Sequence, residues 1–324
     1  MRALVTGGGG FLGKALIQRL VARGDAVRSL SRGSYPELDA LGVEHVSTAL
    51  TDAAAVANAA AGCDVVYHLA AKAGIWGPYP EYHEANVTGT ENVIAACRKQ
   101  GVGRLVFTGS PSSIFTGANQ EGIDESTPYP RRFSSHYAKT KALSETAVLA
   151  ANGLELATVS LRPRLIWGKG DPHVIPRIVK LAETGRLFVV GDGSHRVDVT
   201  YIDNAATAHV LACDALSPGA AVAGKAYFIS NGEPIPMRAL LDKILAAHGL
   251  PPVKKTMPLP LLYTLGAALE AAYTLLGKKD EPPMTRVGAQ ILGSASWFNI
   301  DAAKRDLGYV PAVSIDEGMR RLRD

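Results

Sequence analysis

The stretch Leu4-Val5-Thr6-Gly7-Gly8-Gly9-Gly10-Phe11-Leu12-Gly13 decides how the chain is read. A short apolar run ends in four glycines, and a helical period of apolar residues, Leu12, Ala15, Leu16 and Leu20, begins at once. This predicts a strand, a tight turn and a helix N-terminus. The first N–H groups of a helix have no partner within it, and the aligned peptide dipoles add partial positive charge, so the turn suits a pyrophosphate. Two glycine spacings are legible, Gly8-x-Gly10-x-x-Gly13 and Gly7-x-x-Gly10-x-x-Gly13 preceded by Thr6. Either brings backbone close to a dinucleotide phosphate. Gly7, Gly10, Phe11 and Leu12 are the expected phosphate contacts.

The turn opens a chain of 324 residues, long enough for one large α/β domain or a large and a small one. Its 47% hydrophobic and 20% charged residues are those of a soluble globular protein. A net charge of +4 without a basic run argues against nucleic acid as a partner and fits attraction for small anions. Cys63, Cys97 and Cys213 are scattered, which predicts neither a disulfide framework nor a metal site and points to a reducing, cytoplasmic compartment. The first residues already read as a strand, so no signal peptide is expected before them.

Beyond the turn, strands alternate with helix-length segments. Expected strands are Arg2–Thr6, Ala26–Leu30, Val43–Thr48, Val65–Leu69, Arg104–Thr108 and Leu156–Ser160. Helical periodicity covers Phe11–Ala22, Ala53–Ala61, Tyr82–Lys99 and His136–Ala151. This rhythm predicts an α/β, Rossmann-like, doubly wound parallel sheet. Ligands then sit beyond the carboxyl ends of the strands, which brings Gly7–Gly13, Ser31-Arg32, Ala70–Gly77, Gly109–Ser113 and Pro163–Gly170 around one crevice. Ala70, Ala71, Lys72, Pro163 and Ile166 join the expected cofactor contacts on that ground. After about residue 165 Pro and Gly become frequent and strands look short and isolated. We therefore expect a nucleotide-binding domain over 1–165 with 198–230 adding sheet and helix, and a smaller, mainly helical substrate region from 166–197 and 231–324. Pro258–Leu276 is apolar apart from Glu270 and a few Thr and Tyr. It reads as a buried helix or a lid; a peripheral membrane or pathway-enzyme contact, helped by Lys278-Lys279, is the alternative.

Tyr137 and Lys141 stand four apart and share one helical face. The preceding strand ends in Phe107-Thr108-Gly109-Ser110, so a hydroxyl at a strand tip meets a phenol on the crossover helix. Hydride delivery to a ketone builds negative charge on oxygen, which needs a proton donor. A phenol titrates near pH 10, and a nearby ammonium is expected to lower that value. Tyr137 is the expected general acid, Lys141 its tuning partner and ribose ligand, and Ser110 the hydrogen-bond donor to the substrate oxygen. An acid at the second strand tip would bind the ribose diol of NAD, but Ser29-Leu30-Ser31-Arg32 has none. Arg32 and Ser31 suit a 2′-phosphate, so NADPH is expected over NADH, while Arg28 points elsewhere.

With these residues in place, the chain resembles the extended short-chain dehydrogenases/reductases, and more narrowly their 3β-hydroxysteroid dehydrogenase branch. The matching motifs are Thr6-Gly7-x-x-Gly10-x-x-Gly13, His68-Leu69-Ala70-Ala71, Asn86-Val87-Thr88-Gly89-Thr90, Ser110-Pro111-Ser112, Tyr137-x-x-x-Lys141 and Arg162-Pro163. Further on, Trp167-Gly168-x-Gly170-Asp171 and Val199-Thr200-Tyr201-Ile202-Asp203-Asn204 also match. Within the branch, Ala73–Gly77, Leu161–Gly168 and Ala226–Pro234 are similar to the 2-alkyl-3-oxoalkanoate reductases of bacterial long-chain olefin biosynthesis. That resemblance implies NADPH-dependent reduction of a hydrophobic 3-oxo acid to the 3-hydroxy acid. The related sterol-4-carboxylate 3-dehydrogenases imply the oxidative direction as an alternative, and nucleotide-sugar epimerases or dehydratases share the scaffold. Many relatives carry Asp-Leu after the third strand where Ala49-Leu50 stands here, so Leu50 is the expected adenine contact. Many also have Ser-Ser where this chain has Gly109-Ser110. Trp76, Ser112 and Arg164 are expected to meet the substrate, with Tyr79 and the segment 115–133 as further apolar wall. By analogy with the family, a homodimer through Tyr82–Lys99 and His136–Ala151 is expected.

Overall fold

The computed structural model describes residues 1–278 and 280–323. Seven strands form one parallel sheet: β1 (Arg2–Thr6), β2 (Ala26–Ser31), β3 (Glu44–Ser47), β4 (Val65–His68), β5 (Arg104–Thr108), β6 (Ala157–Pro163) and β7 (Lys225–Ile229). Their order is β7-β6-β5-β4-β1-β2-β3, every neighbouring pair parallel. Chain order reverses between β1 and β4, and such a switch point opens a crevice at the carboxyl ends of the strands. The alternation of side chains along β1 explains the two layers. Val5 packs with Leu16, Ile17, Leu20 and Ala206 on one side, Leu4 with Val56, Val93 and Val148 on the other. Full burial of each large side chain stabilises the fold by about 1.5–3 kcal/mol. Helices Phe11–Ala22 and Ile202–Ala215 therefore cover one face, and Ala53–Ala60, Gly89–Gln100 and His136–Ala150 the other. The expected doubly wound fold is present.

Three elements differ from expectation. The predicted helix Tyr82–Lys99 is a short turn Tyr79–Tyr82, a π-helical stretch His83–Thr88 and an α-helix Gly89–Gln100. At the junction the Asn86 carbonyl accepts from both Thr90 Oγ1 (2.5 Å) and Ser144 Oγ (2.8 Å), and such local competition accompanies a π-bulge.

Nor are the short strands of the second half isolated. Ile235–Pro236, Arg196–Val197, Ser296–Phe298 and Gln120–Ile123 make a four-stranded sheet in that order. Ile166–Trp167 pairs with Thr200–Tyr201, and Val189–Val190 with Thr256–Met257. Two-residue strands carry too little pattern to announce partners so far along the chain.

The helix Leu259–Leu275 buries only Leu262 and Gly266. It rests on the helix Arg286–Gly293 through Gly266, where a Cβ would lie 2.6 Å from the Thr285 carbonyl carbon. Leu261 (56% exposed) and Leu275 (87%) face outward, so it is not the expected buried helix. Among the described residues no helix is long and apolar enough to cross a membrane. Lys279 lies outside them.

Candidate active site

Close packing forces the glycines of the first turn. Gly7 has φ +72°, and a Cβ there would lie 2.9 Å from the Ala70 nitrogen. A Cβ on Gly13 would come within 2.2 Å of the Gly7 carbonyl oxygen, on Gly8 within 2.2 Å of Ser29 Oγ, and on Gly9 within 2.1 Å of the Tyr35 ring. Gly10 caps the helix without a side chain, leaving the N–H groups of Phe11 and Leu12 at the first helical positions without carbonyl partners. A group with several anionic oxygens fits this cradle, as a dinucleotide pyrophosphate requires.

The tip of β2 is tied to that turn, since Ser31 Oγ accepts from Gly9 N at 3.1 Å. Arg32 beside it is exposed, and its guanidinium has no partner among the described residues. Arg28, by contrast, donates to Ala59 O (2.6 Å) and Ala61 O (3.1 Å) and pairs with Glu44 (2.8 Å). Across the crevice Leu50 packs toward Gly89, and its carbonyl accepts from Asn92 Nδ2 at 2.8 Å. Lys72 offers its backbone rather than its charge. Asn86 Oδ1 accepts from its N–H (2.6 Å), Asn86 Nδ2 donates to its carbonyl (3.1 Å), and its ammonium pairs with Glu81 (2.8 Å). Ala70 N donates to Thr6 Oγ1 (3.3 Å), while Ala71 is exposed. On the other side Pro163 ends β6 in the core and Ile166 is half-buried.

A buried chain beneath these loops joins Thr6 Oγ1 to His68 Nδ1 (2.7 Å) and His68 Nε2 to Thr90 Oγ1 (3.0 Å). Burial pushes His68 down to about 3, with Lys141 adding repulsion, so this histidine stays neutral and positions rather than titrates. Asn86 and this chain carry no periodic signal; in the sequence they show only as motif residues.

Ser110 follows the end of β5 and faces Tyr137 of the helix His136–Ala150, which also carries Lys141 and which Ser135 caps by accepting from Ala138 N (3.1 Å). Ser110 Oγ accepts from Ser112 N (3.2 Å), and Ser113 is turned inward to donate to Ser110 O (2.8 Å). The ammonium of Lys141 donates to Thr108 O and lies 4.2 Å from the Phe107 ring centre. Burial brings Lys141 down to about 7, with Glu145 opposing. The phenol corrects an expectation: burial raises its pKa, and hydrogen bonding with Ser110 works against the rise. The ammonium is drawn to the strand-tip carbonyl, and desolvation governs the phenol.

Tyr137 opens on a narrow cleft shared with Ser112, Gln120, Arg164 and the apolar Ile75, Phe115, Val287 and Ile291. Ile75 takes the place expected of Trp76, whose carbonyl accepts from Tyr82 Oη (2.9 Å). Val287 and Ile291 come from the helix Arg286–Gly293, which no motif had marked. Arg164 Nε is buried without a hydrogen-bond partner, and burial lowers the pKa of this guanidinium against the pull of Asp198. Directly after it, Leu165 has φ +36°, alone among the described non-glycine residues in that region. Such strain costs about 1–3 kcal/mol and clusters at functional sites.

The 2-alkyl-3-oxoalkanoate reductase of Stenotrophomonas maltophilia is 54% identical over 325 residues, spanning 100% of this chain and 98% of the relative. That of Shewanella oneidensis is 50% identical over 99% of this chain and 85% of its own. Human sterol-4-alpha-carboxylate 3-dehydrogenase, decarboxylating, is 32% identical over 99% of this chain and 87% of its own. Among solved structures, the Thermus thermophilus UDP-glucose 4-epimerase complex with NAD matches with TM-score 0.76 at 27% identity, over 99% of this chain and 97% of that one. The chain is an oxidoreductase acting on CH–OH/C=O groups with a nicotinamide dinucleotide. Residues 4–261 match the 3-beta hydroxysteroid dehydrogenase/isomerase family, and the chain belongs to that family.

Proposed function

We propose that the protein reduces the 3-oxo group of a hydrophobic 2-alkyl-3-oxo acid to the 3-hydroxy acid, with NADPH as reductant. One observation carries the reading: the phenol of Tyr137 and Arg164, whose Nε lacks a hydrogen bond, line the same cleft as the apolar Ile75, Phe115, Val287 and Ile291. A hydrophobic acid with a reacting carbonyl has a counterpart for each part in that cleft. The names of the relatives at 54% and 50% identity support the substrate class. The open guanidinium of Arg32, with Ser31 beside it and no acid at the β2 tip, supports the 2′-phosphate.

A dinucleotide held by the glycine turn and the tip of β2 would supply hydride for the carbonyl carbon. The chain's own groups do the rest. Ser110 holds the carbonyl oxygen by hydrogen bonding, and Tyr137 gives its proton to that oxygen as the C–O bond becomes single. A phenol whose pKa is raised is fully protonated at neutral pH, which suits an acid in the reductive direction. Lys141, with one proton on the Thr108 carbonyl, keeps two more for ribose hydroxyls. Arg164 pairs with the substrate carboxylate.

NADPH consumption with a 2-alkyl-3-oxo acid tests the reading. Wild type turns over, and Tyr137→Phe loses about 10²–10⁴-fold in kcat. Turnover of a UDP-sugar with no rate on the acid would overturn it. We further propose a homodimer through the adjacent helices Gly89–Gln100 and His136–Ala150, which light scattering reads as twice the chain mass.

A further inference from the structure

We propose that Arg164 also keeps the bound 3-oxo acid from losing carbon dioxide, so that the site reduces its substrate and does not decarboxylate it. The proposal rests on the functional reading above.

A 3-oxo acid loses carbon dioxide by two routes. In the neutral acid, the carboxyl proton passes to the ketone oxygen while the bond from C2 to the carboxyl carbon breaks, giving carbon dioxide and an enol. In the anion, the same bond breaks with its electron pair moving to the ketone oxygen, and the enolate then takes a proton to become the ketone. Ser110 and Tyr137 hydrogen-bond that same oxygen. They stabilise charge developing there whether it comes from hydride addition or from carbon dioxide leaving. A site built of these groups alone therefore promotes both outcomes.

Arg164 separates them. A guanidinium beside the carboxyl group holds it ionised, which removes the proton the first route needs. It also stabilises negative charge on the carboxylate oxygens, and that charge is gone once carbon dioxide has formed. An interaction stronger in the ground state than in the transition state raises the barrier, so the second route slows. Hydride addition leaves the carboxylate charge in place, and Arg164 does not oppose it.

The structure mounts Arg164 for this task. Its N–H donates to Ile229 O (3.1 Å), and its carbonyl accepts from Thr200 Oγ1 (2.6 Å). The backbone is thus pinned on both sides, just before the left-handed turn at Leu165. Arg162 on β6 is committed to Glu145 through Nε at 2.7 and 2.9 Å. Arg164 has no such hydrogen-bonded partner: its Nε is unsatisfied, and Asp198, which attracts it, gives Oδ2 to Phe298 N at 2.9 Å and leaves Oδ1 without a hydrogen bond. A guanidinium with a buried donor left unused, only attracted and not hydrogen-bonded by Asp198, on the wall of the reaction cleft, is held ready for an anionic ligand.

The test follows ketone and 3-hydroxy acid by mass spectrometry. Wild type, Arg164→Gln and Arg164→Lys, each saturated with NADPH and in excess over a 2-alkyl-3-oxo acid, are compared in a single turnover. A parallel set with NADP+ reads loss of carbon dioxide alone. Wild type should form ketone no faster than free substrate does, whereas Arg164→Gln should raise the ketone share at least tenfold and Arg164→Lys restore most of the hydroxy acid. NADPH fluorescence checks that the variants fold. A measurement that needs no variant accompanies these: wild type should prefer the acid to the corresponding decarboxylated ketone by at least a hundredfold in kcat/KM. Equal partition in wild type and Arg164→Gln, or no preference for the acid, would overturn the role of Arg164 while leaving the reductase reading intact. No reduction of the acid by wild type would overturn that reading and this proposal together.

Discussion

Gly13 and Gly10 show how differently two glycines of one motif are constrained. A Cβ on Gly13 would strike backbone on both sides, at 2.2 Å from Gly7 O and 2.7 Å from Gly8 Cα, whereas at Gly10 the nearest atom is 3.2 Å away. Gly13→Ala is therefore expected to cost roughly 1–3 kcal/mol and to weaken NADPH binding, with Gly10→Ala milder in stability; thermal melts and fluorescence titration read both. Arg32→Asp should lower the NADPH-to-NADH ratio of kcat/KM at least about tenfold, the worth of a charge-assisted contact. An unchanged ratio would return the 2′-phosphate to other residues. Lys141 gives a pH signature. Its native pKa of about 7 lies below the ordinary lysine value of 10.5. Below pH 7 both states are charged, and the native state carries the full penalty of the buried ammonium. Between pH 7 and 10.5 the unfolded chain binds a proton that the native state does not, so stability rises with pH. Lys141→Met lacks that rise: its advantage in stability over wild type should shrink by roughly 2–3 kcal/mol between pH 6 and 9, while turnover falls. Urea denaturation at the two pH values measures it. The residue types and the spacing of Tyr137 and Lys141 were legible in the sequence. The direction in which burial moves the phenol was not, because desolvation depends on everything packed around it.

At the level of elements, the helix His136–Ala150 was legible from its periodicity, and it has a second duty that periodicity does not show. Beyond Tyr137 and Lys141 it carries Glu145, whose side chain is 0% exposed and fixed on Arg162 of β6. Removing one partner of a buried pair leaves the other charge uncompensated, so Glu145→Ala should destabilise the fold by about 3–5 kcal/mol in urea. Replacing both with apolar residues should recover much of that loss. The stretch Tyr82–Lys99 was legible as helical, yet its π segment was not, since that depends on Ser144 arriving from another helix. The same limit applies to the four-stranded sheet. Gln120–Ile123 finds Ser296–Phe298 more than 170 residues away, and neither strand is long enough to advertise its partner.

Over the whole molecule, residues 309–319 are stitched to the end of β7 and to the helix Ile202–Ala215. Tyr309 Oη donates to Ser230 O (2.9 Å), and Val313 O accepts from Asn204 Nδ2 (2.7 Å) and Asn231 Nδ2 (3.0 Å). Tyr309, Val313, Ile315 and Met319 are all buried. Burial of four such side chains is worth about 6–12 kcal/mol, comparable with the net stability of an ordinary domain. A chain ending at Gly308 should therefore lose its cooperative thermal transition, which circular dichroism would show; a retained transition would mean that the C-terminal stretch is an accessory.

The sequence by itself determined the strand–helix alternation of the first half, the glycine turn, and the Tyr137 and Lys141 spacing, because each is written within a few residues by steric and periodic rules. Only the tertiary structure decided that Arg162 is paired while Arg164 is open, that Lys141 is brought near neutrality, and that Val287 and Ile291 close the cleft. Pairing, desolvation and cavity shape are properties of residues brought together from distant parts of the chain, and no local pattern encodes which of them will meet.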